Sequence, residues 1–299
     1  MKSISIRGII PALVTPFHDD ESLNLEQMKR HTVRAIDAGA HGVFCLGTNG
    51  EFFQMTADER VAVLESVTEA ADGRVPVYAG AGAVGTRDTI TLARRLADGG
   101  ADVLSVITPY FASASQEELY RHFAAVAESV DVPILLYNIP ARTNVNLDPS
   151  TVARLAAIEN IVGIKDSSGN FDNILQYLEL TDRDTFDVLS GTDSLILASL
   201  QAGGAGGITA IANIYPHTMV EIYEKWQAGD LDAARAAQAR IRPIRNLFRH
   251  GNPNTIVKAA TNAAGEPVGP CRAPFNNLGE QALADIAATI AADHARGLR

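Results

Sequence analysis

A lysine ends the short apolar run Ile161-Val-Gly-Ile-Lys165, and the polar and glycine residues Asp166-Ser-Ser-Gly169 follow it at once. A run this short, rich in β-branched residues and bounded by turn formers, reads as a fully buried strand. Lys165 then stands at the strand's C-terminal end, where α/β folds place their chemistry. Burial disfavours an ammonium, and an unprotonated amine attacks a carbonyl carbon to form a Schiff base. The bland alternative is a lysine that only marks an exposed strand end, solvated or ion-paired. Other apolar runs end in Thr48, Asn49 and Glu51, in Thr108, Pro109 and Tyr110, and in Tyr137, Asn138 and Arg142. Two more end in Gly191, Thr192 and Asp193 and in Thr209. One lysine, one phenol at a buried strand end and a hydroxyl-and-amide loop suit carbonyl chemistry, in which the lysine forms the imine and the phenol moves protons. The loop Gly47-Thr-Asn-Gly50 is either a tight turn or a carboxylate site at a helix N-terminus. Glu51 is either a first-turn helix charge or a base. Gly203-Gly-Ala-Gly-Gly207 precedes a strand rather than joining strand to helix, so it reads as structural and not as a phosphate cradle.

These residues need eight strand ends on one face. Apolar runs at Ile9–Val14, His41–Leu46, Val75–Ala79, Asp102–Ile107 and Val132–Tyr137 supply five strands. The lysine run, Phe186–Leu189 and Gly207–Ile211 supply three more. Helical patterns alternate with them. Asn24 with Gln27, Thr56 with Glu59 and Ser115 with Glu118 read as capping boxes. Thr86 reads as a cap ahead of a helix that stops at Gly99-Gly100, and Asp148-Pro149 as a cap with proline at the first helical position. Further helices fall at Ile174–Leu180, Ser194–Ala202 and Ile214–Trp226. The pattern predicts an α/β (β/α)8 TIM barrel over residues 1–228. Residues 229–299 exceed what the barrel needs. They read as a C-terminal helical extension packed on it, with helices at Leu231–Phe248, Pro253–Ala264 and from Leu278. A doubly wound open sheet fits less well, since no G-x-G-x-x-G loop follows the first strand.

The chain has 299 residues, of which 46% are hydrophobic and 20% charged, the make-up of a globular enzyme. A formal net charge of −10 offers no basic footprint for nucleic acid or an anionic membrane. The two cysteines, Cys45 and Cys271, are too few for a disulfide framework and stand at no metal-ligand spacing. Cys45 sits in an apolar run and reads as a small buried hydrophobe. The N-terminal Met-Lys-Ser-Ile-Ser-Ile-Arg lacks an apolar signal core, and no run approaches a membrane span. The expectation is a cytoplasmic protein that needs no metal or other cofactor.

Taken together, the motifs resemble the dihydrodipicolinate synthase and N-acetylneuraminate lyase family, the pyruvate-dependent class I aldolases. The resemblance rests on Gly47-Thr-Asn-Gly-Glu51, Thr108-Pro-Tyr110, Tyr137-Asn-Ile-Pro-Ala-Arg-Thr143 and Gly163-Ile-Lys-Asp-Ser-Ser-Gly169. Leu189-Ser-Gly-Thr-Asp193 and Gly203-Gly-Ala-Gly-Gly-Ile208 extend it over almost the whole chain. It implies that Lys165 forms the Schiff base with pyruvate or a 2-oxo acid and that Tyr137 shuttles the proton. Thr48 and Asn49 would hold the pyruvate carboxylate, with Ile208 and Gly191 lining the pocket, and Arg142 would take the second substrate's carboxylate. It also implies a homotetramer built as a dimer of dimers, with the loop after strand four reaching into the neighbouring site. Two positions depart from the synthases. Asn49 replaces a threonine, and Phe111 replaces a tyrosine whose phenol relays protons from the neighbouring subunit. The Asn-Gly-Glu-Phe wording and Gly269-Pro-Cys-Arg-Ala-Pro274 resemble the 4-hydroxy-2-oxoglutarate aldolase branch, whereas Arg142 is a synthase feature that sialic acid lyases lack. The function read from this is a lyase that makes or breaks a C–C bond at C3 of a pyruvate unit. The alternatives are a 4-hydroxy-tetrahydrodipicolinate synthase condensing pyruvate with aspartate semialdehyde, a 2-keto-3-deoxy sugar-acid aldolase or dehydratase, an N-acetylneuraminate lyase, and a non-catalytic 2-oxo-acid sensor.

Overall fold

Alternation of short apolar runs with amphipathic segments leaves one economical arrangement, a ring of parallel strands wrapped by helices. A computed structural model describes residues 6–299; the reading of the N-terminus falls largely on residues 1–5, outside them. The strands are β1 (Gly8–Pro11), β2 (Val43–Cys45), β3 (Val77–Gly80), β4 (Val103–Ile107), β5 (Ile134–Asn138), β6 (Ile161–Asp166), β7 (Asp187–Ser190) and β8 (Gly206–Thr209). They form one parallel sheet in the order β1-β8-β7-β6-β5-β4-β3-β2. A parallel bridge from Ala12 to Phe44 joins its two edges and closes the TIM barrel.

The helices between strands are α1 (Leu25–Asp37), α2 (Ala57–Ala71), α3 (Thr86–Asp98), α4 (Gln116–Glu128), the short α5 (Pro140–Thr143), α6 (Pro149–Leu155), α7 (Phe171–Leu180), α8 (Ile196–Ala202) and α9 (Pro216–Gln227). After the barrel come α10 (Leu231–Arg240), α11 (Arg242–Asn246), α12 (Pro253–Ala263) and α13 (Glu280–Ala295). Ile244, Ile256, Ile286 and Ile290 of these last helices share one buried cluster with Ile196, Leu200, Met219 and Ile222 of α8 and α9. Inside the barrel, Ile10, Phe44, Tyr78, Val103, Leu135, Leu189 and Ile208 form a separate layer.

Several local expectations are corrected. The capping boxes at Thr56 and Ser115 form completely. At α1 only half does: Asn24 accepts from the Gln27 N–H, but the Gln27 side chain turns to Glu266 at 3.5 Å. Thr86 does not cap α3. Gly85 is the capping residue, and the Thr86 hydroxyl bonds His122 Nδ1 at 2.9 Å. Asp148 precedes Pro149 at the start of α6 but its side chain makes no capping bond. The helix expected over Leu231–Phe248 breaks into α10, α11 and a 3-10 turn, Leu247–His250. Pro243 at the start of α11 carries no N–H to continue the ladder. The first strand stops at Pro11 rather than Val14. There the Val14 N–H leaves the sheet for the Asn213 side chain at 2.9 Å.

No helix among the described residues is long and apolar enough to cross a membrane. Cys45 and Cys271 are both free and buried, and burial pushes each thiol up to about 12.

Candidate active site

Register decides which side chains meet. β5 and β6 pair Tyr137 with Lys165 directly, after a shift in register between Ile134 and Leu135. Period-two alternation then points both side chains to the barrel interior. Asp166, one residue on, faces the other way and accepts from Asn138 Nδ2 at 2.8 Å and from the Ser168 N–H at 3.1 Å. Lys165 is only 4% exposed. Its Nζ stands 4.0 Å from the Tyr137 ring centre and 4.9 Å from that of Phe44. Among the described residues it has no carboxylate within ion-pair distance and no hydrogen-bond partner, so neither bland reading of this lysine describes its surroundings. Gly191 makes room for it: a Cβ there would lie 3.0 Å from Lys165 Cε and 2.0 Å from Ser167 Oγ. The Gly191 N–H is spent on the Asp166 carbonyl at 2.6 Å.

The second element is the loop between β2 and α2. Thr48 Oγ1 and the Tyr137 hydroxyl are 3.1 Å apart. The N–H groups of Thr48 and Asn49 donate to no acceptor among the described residues, which leaves them free for an anion. Carboxylate binding by the N-terminus of α2 itself is corrected. A 3-10 turn, Phe52–Gln54, intervenes, and Thr56 already caps the helix. Any anion is therefore left to the loop.

Lys165, Tyr137, Thr48, Asn49, Arg142, Gly191 and Ile208 all line one cavity of about 230 Å³. Thr108 and Thr209 are fully buried and do not line it. Tyr110 lines a neighbouring cavity with Phe52, Phe53 and Phe275, which shares Thr48, Arg142 and Asn254 with the first. Phe111 lines neither; it is 95% exposed with φ at +79°. Asp193, at the cavity wall, accepts from the Ala210 and Ile211 N–H groups at 3.0 and 3.2 Å. Burial raises its carboxyl pKa, against the lowering effect of Arg245. No three His, Cys, Asp or Glu side chains among the described residues stand close enough to share a metal ion.

Sequence reasoning missed what α11 and α12 bring. Arg245, Phe248, Pro253 and Asn254 line the same cavity. The Asn252 side chain accepts from Arg142 Nη2 at 2.9 Å, and Asn254 Nδ2 donates to the Thr48 carbonyl. Glu51 is neither of the things the sequence suggested. It is 0% exposed at φ +58°. Its carboxylate meets Lys258 Nζ of α12 at 2.7 Å. It also accepts from the Arg272 N–H and from Gln54 Nε2, each at 3.0 Å. Lys258 also donates to the Pro270 carbonyl at 2.8 Å and lies 4.0 Å from the Phe17 ring centre. Burial lowers its pKa, against the pull of Glu51. No strand end announces these residues; the only hint is Asn252-Pro253 as a helix start.

Lys258→Met strands the Glu51 carboxylate in a dry site, so it is expected to cost about 3–5 kcal/mol of stability. Urea unfolding checks this. The Glu51→Leu/Lys258→Met double variant is expected to cost less than the single one, and a single-variant cost below about 1 kcal/mol would show that the pair does not hold the loop.

The sequence profile of the dihydrodipicolinate synthetase family matches residues 5–293. A 4-hydroxy-tetrahydrodipicolinate synthase from Methanopyrus kandleri is 42% identical over 278 residues, covering 92% of each chain. A dihydrodipicolinate synthase structure from Thermotoga maritima superposes with a TM-score of 0.94 at 33% identity, covering 97% of this chain and 99% of that one. A prophage protein of the dihydrodipicolinic acid synthase family from E. coli K12, solved in complex with pyruvate, superposes with a TM-score of 0.93 at 32% identity and the same coverage.

Proposed function

The chain belongs to the dihydrodipicolinate synthetase family, and we propose that it is a Schiff-base-forming lyase that cleaves 2-oxo acids to pyruvate and an aldehyde, or joins the two. The observation that carries this reading is the buried, unpaired Lys165 amine beside Tyr137, whose hydroxyl reaches Thr48 in the same cavity. The Lys165 amine adds to the C2 carbonyl and water leaves, giving the imine. Loss of the C4 hydroxyl proton breaks the C3–C4 bond. The aldehyde departs, and its bonding electrons pass into the imine as an enamine. Protonation at C3 and return of water release pyruvate and the free amine. Tyr137 carries protons in these steps, with Thr48 as its hydrogen-bond partner. The loop N–H groups of Thr48 and Asn49 hold the carboxylate at C1, and Ile208 and Gly191 form the wall. No step calls for a metal or cofactor.

Condensation of pyruvate with aspartate semialdehyde is the second reading, favoured by the activity for which the Methanopyrus kandleri relative is named. Phe111 weighs against it, because a phenyl ring relays no proton. Its exposure, with that of Phe53 and Phe275, fits an assembly in which a neighbouring copy covers them; we take the protein as the homotetramer that the family resemblance implies, and as cytoplasmic from its sequence. Release of pyruvate across a panel of 2-oxo acids tests the lyase reading; no release from any of them, with turnover of aspartate semialdehyde, favours the synthase.

Arg142 is assigned the distal carboxylate of the substrate. It reaches the cavity from α5, and its guanidinium spends one N–H on Asn252. The remaining fork matches a carboxylate in two-point contact. Arg142→Ala is expected to weaken the second substrate about 10- to 200-fold while leaving pyruvate imine formation intact. Equal loss of both steps would make the residue structural.

A further inference from the structure

Behind the Lys165–Tyr137 pair lies a second pair that the lyase chemistry does not use. Register sets Asn138 of β5 opposite Asp166 of β6, one residue beyond the pair that faces the cavity. Alternation turns both side chains away from it. They are 0% and 2% exposed, and neither lines the cavity. Asn138 Nδ2 donates to Asp166 Oδ2 at 2.8 Å and to Asn146 Oδ1 at 2.9 Å. Its Oδ1 accepts from the Leu147 N–H at 3.0 Å. The other Asp166 oxygen accepts from the Ser168 N–H at 3.1 Å and from the Ser168 hydroxyl at 2.5 Å. The buried Tyr177 hydroxyl stands 3.3 Å from Asn138 Nδ2 and donates to the Leu147 carbonyl at 2.8 Å. Burial raises the Asp166 carboxyl pKa, against the lowering effect of hydrogen bonds from Ser168, Asn138 and Asn173.

We propose that Asn138 and Asp166 are positioning residues, whose bond behind the sheet fixes the register that sets the Tyr137 phenol against the Lys165 amine. This rests on the lyase reading and says what holds its two central groups in place. β5 and β6 change register between Ile134 and Leu135, which leaves Val162 without a partner on β5. Beyond such an interruption the pairing has to be specified again, and a slip of one residue turns a side chain to the other face. The apolar pattern cannot specify it. Leu135, Leu136 and Ile164 are all 0% exposed, so both faces of these strands are buried and equally apolar. A buried carboxylate with fixed donors can: parting it from Asn138 leaves both groups unsatisfied in a dry site. Apolar residues of the same shape would pack there about as stably, but they would tolerate the slip.

The test uses the full-length enzyme, the variants Asp166→Asn and Asn138→Asp, which conserve volume, and the double variant that carries both. Tyr215→Phe is the control: it removes a buried bond to Asp293 at 3.0 Å, and neither residue lines the cavity. Exchange of the pyruvate C3 protons for deuterium in D2O is followed at saturating pyruvate, since it needs the imine and the enamine but no aldehyde. Borohydride trapping of pyruvate, run to completion, counts the competent sites, and thermal unfolding is recorded on each preparation. Each single variant is expected to exchange about 10²-fold more slowly per trapped site, the scale of a misplacement of about 1 Å. The double variant is expected to recover most of that loss, because it reverses the donor and the acceptor without parting them. Tyr215→Phe is expected to lose thermal stability with exchange per site unchanged. Should neither single variant fold, Tyr177→Phe, which takes only a hydroxyl from the group, is expected to slow exchange per site about fivefold. Exchange per site that stays at the wild-type rate in the variants that fold, whatever their stability, makes the pair merely structural. A double variant no faster than the slower single one also overturns the proposal. A wild type that shows no exchange overturns the lyase reading, and the positioning role with it.

Discussion

Replacing Lys165 with alanine is expected to lower turnover on the order of 10⁶-fold, the scale on which removal of a covalent nucleophile acts. The loss arises because no other amine can take its place. Lys258, the other buried lysine among the described residues, is engaged by Glu51 and the Pro270 carbonyl. The fold is expected to survive. Lys165 makes no ion pair that its removal would leave incomplete, and the cavity beside it can admit water. Steady-state pyruvate release and thermal unfolding on one preparation separate the two effects. A Lys165→Ala enzyme that retains more than about a hundredth of wild-type turnover would place the imine elsewhere or dispense with it, since even a positioned acid–base group contributes about 10²–10⁴-fold.

The second large effect falls on Tyr137. Tyr137→Phe keeps the ring that stands 4.0 Å from the Lys165 Nζ and removes only the hydroxyl that meets Thr48 at 3.1 Å. Packing is thus conserved while the proton carrier is lost. The expected fall in kcat is about 10²–10⁴-fold. KM for the 2-oxo acid should change little, because the carboxylate loop is untouched. Pre-steady-state formation of the imine should slow with turnover, which distinguishes a proton carrier from a residue that merely shapes the cavity. A fall of less than about fivefold would leave Tyr137 as a packing residue.

The barrel is legible because its information is local. Each strand is a short apolar run whose end is marked by a turn former, and the boxes at Thr56 and Ser115 announce the helices that follow. Strand ends in a barrel share one face, so Lys165, Tyr137, Thr48, Asn49, Arg142 and Gly191 can be named as neighbours without coordinates, while Ile208 is added by the family resemblance alone. That Tyr137 and Lys165 face each other is less accessible, since it depends on a register shift between two strands. Contacts closed by the C-terminal helices are not legible at all. Glu51 and Lys258 stand near opposite ends of the chain, yet their pairing at 2.7 Å holds the loop that carries Thr48 and Asn49. Arg245 carries no local mark either. An arginine in a polar helix looks like any solvated charge until it is seen at a cavity wall. Pro243 misleads in the opposite sense. The apolar pattern of Leu231–Phe248 runs on through it and hides the helix break.

The central claim is that one buried amine makes the covalent bond to substrate, and mapping that bond tests it most directly. The full-length enzyme is incubated with pyruvate, reduced with borohydride, digested and sequenced by mass spectrometry. The expected result is one reduced pyruvyl group per chain, on Lys165, absent when pyruvate or borohydride is withheld and absent from Lys165→Ala. Label on Lys258 or a surface lysine, or no pyruvate-dependent label at all in an enzyme that still turns over, would contradict the account.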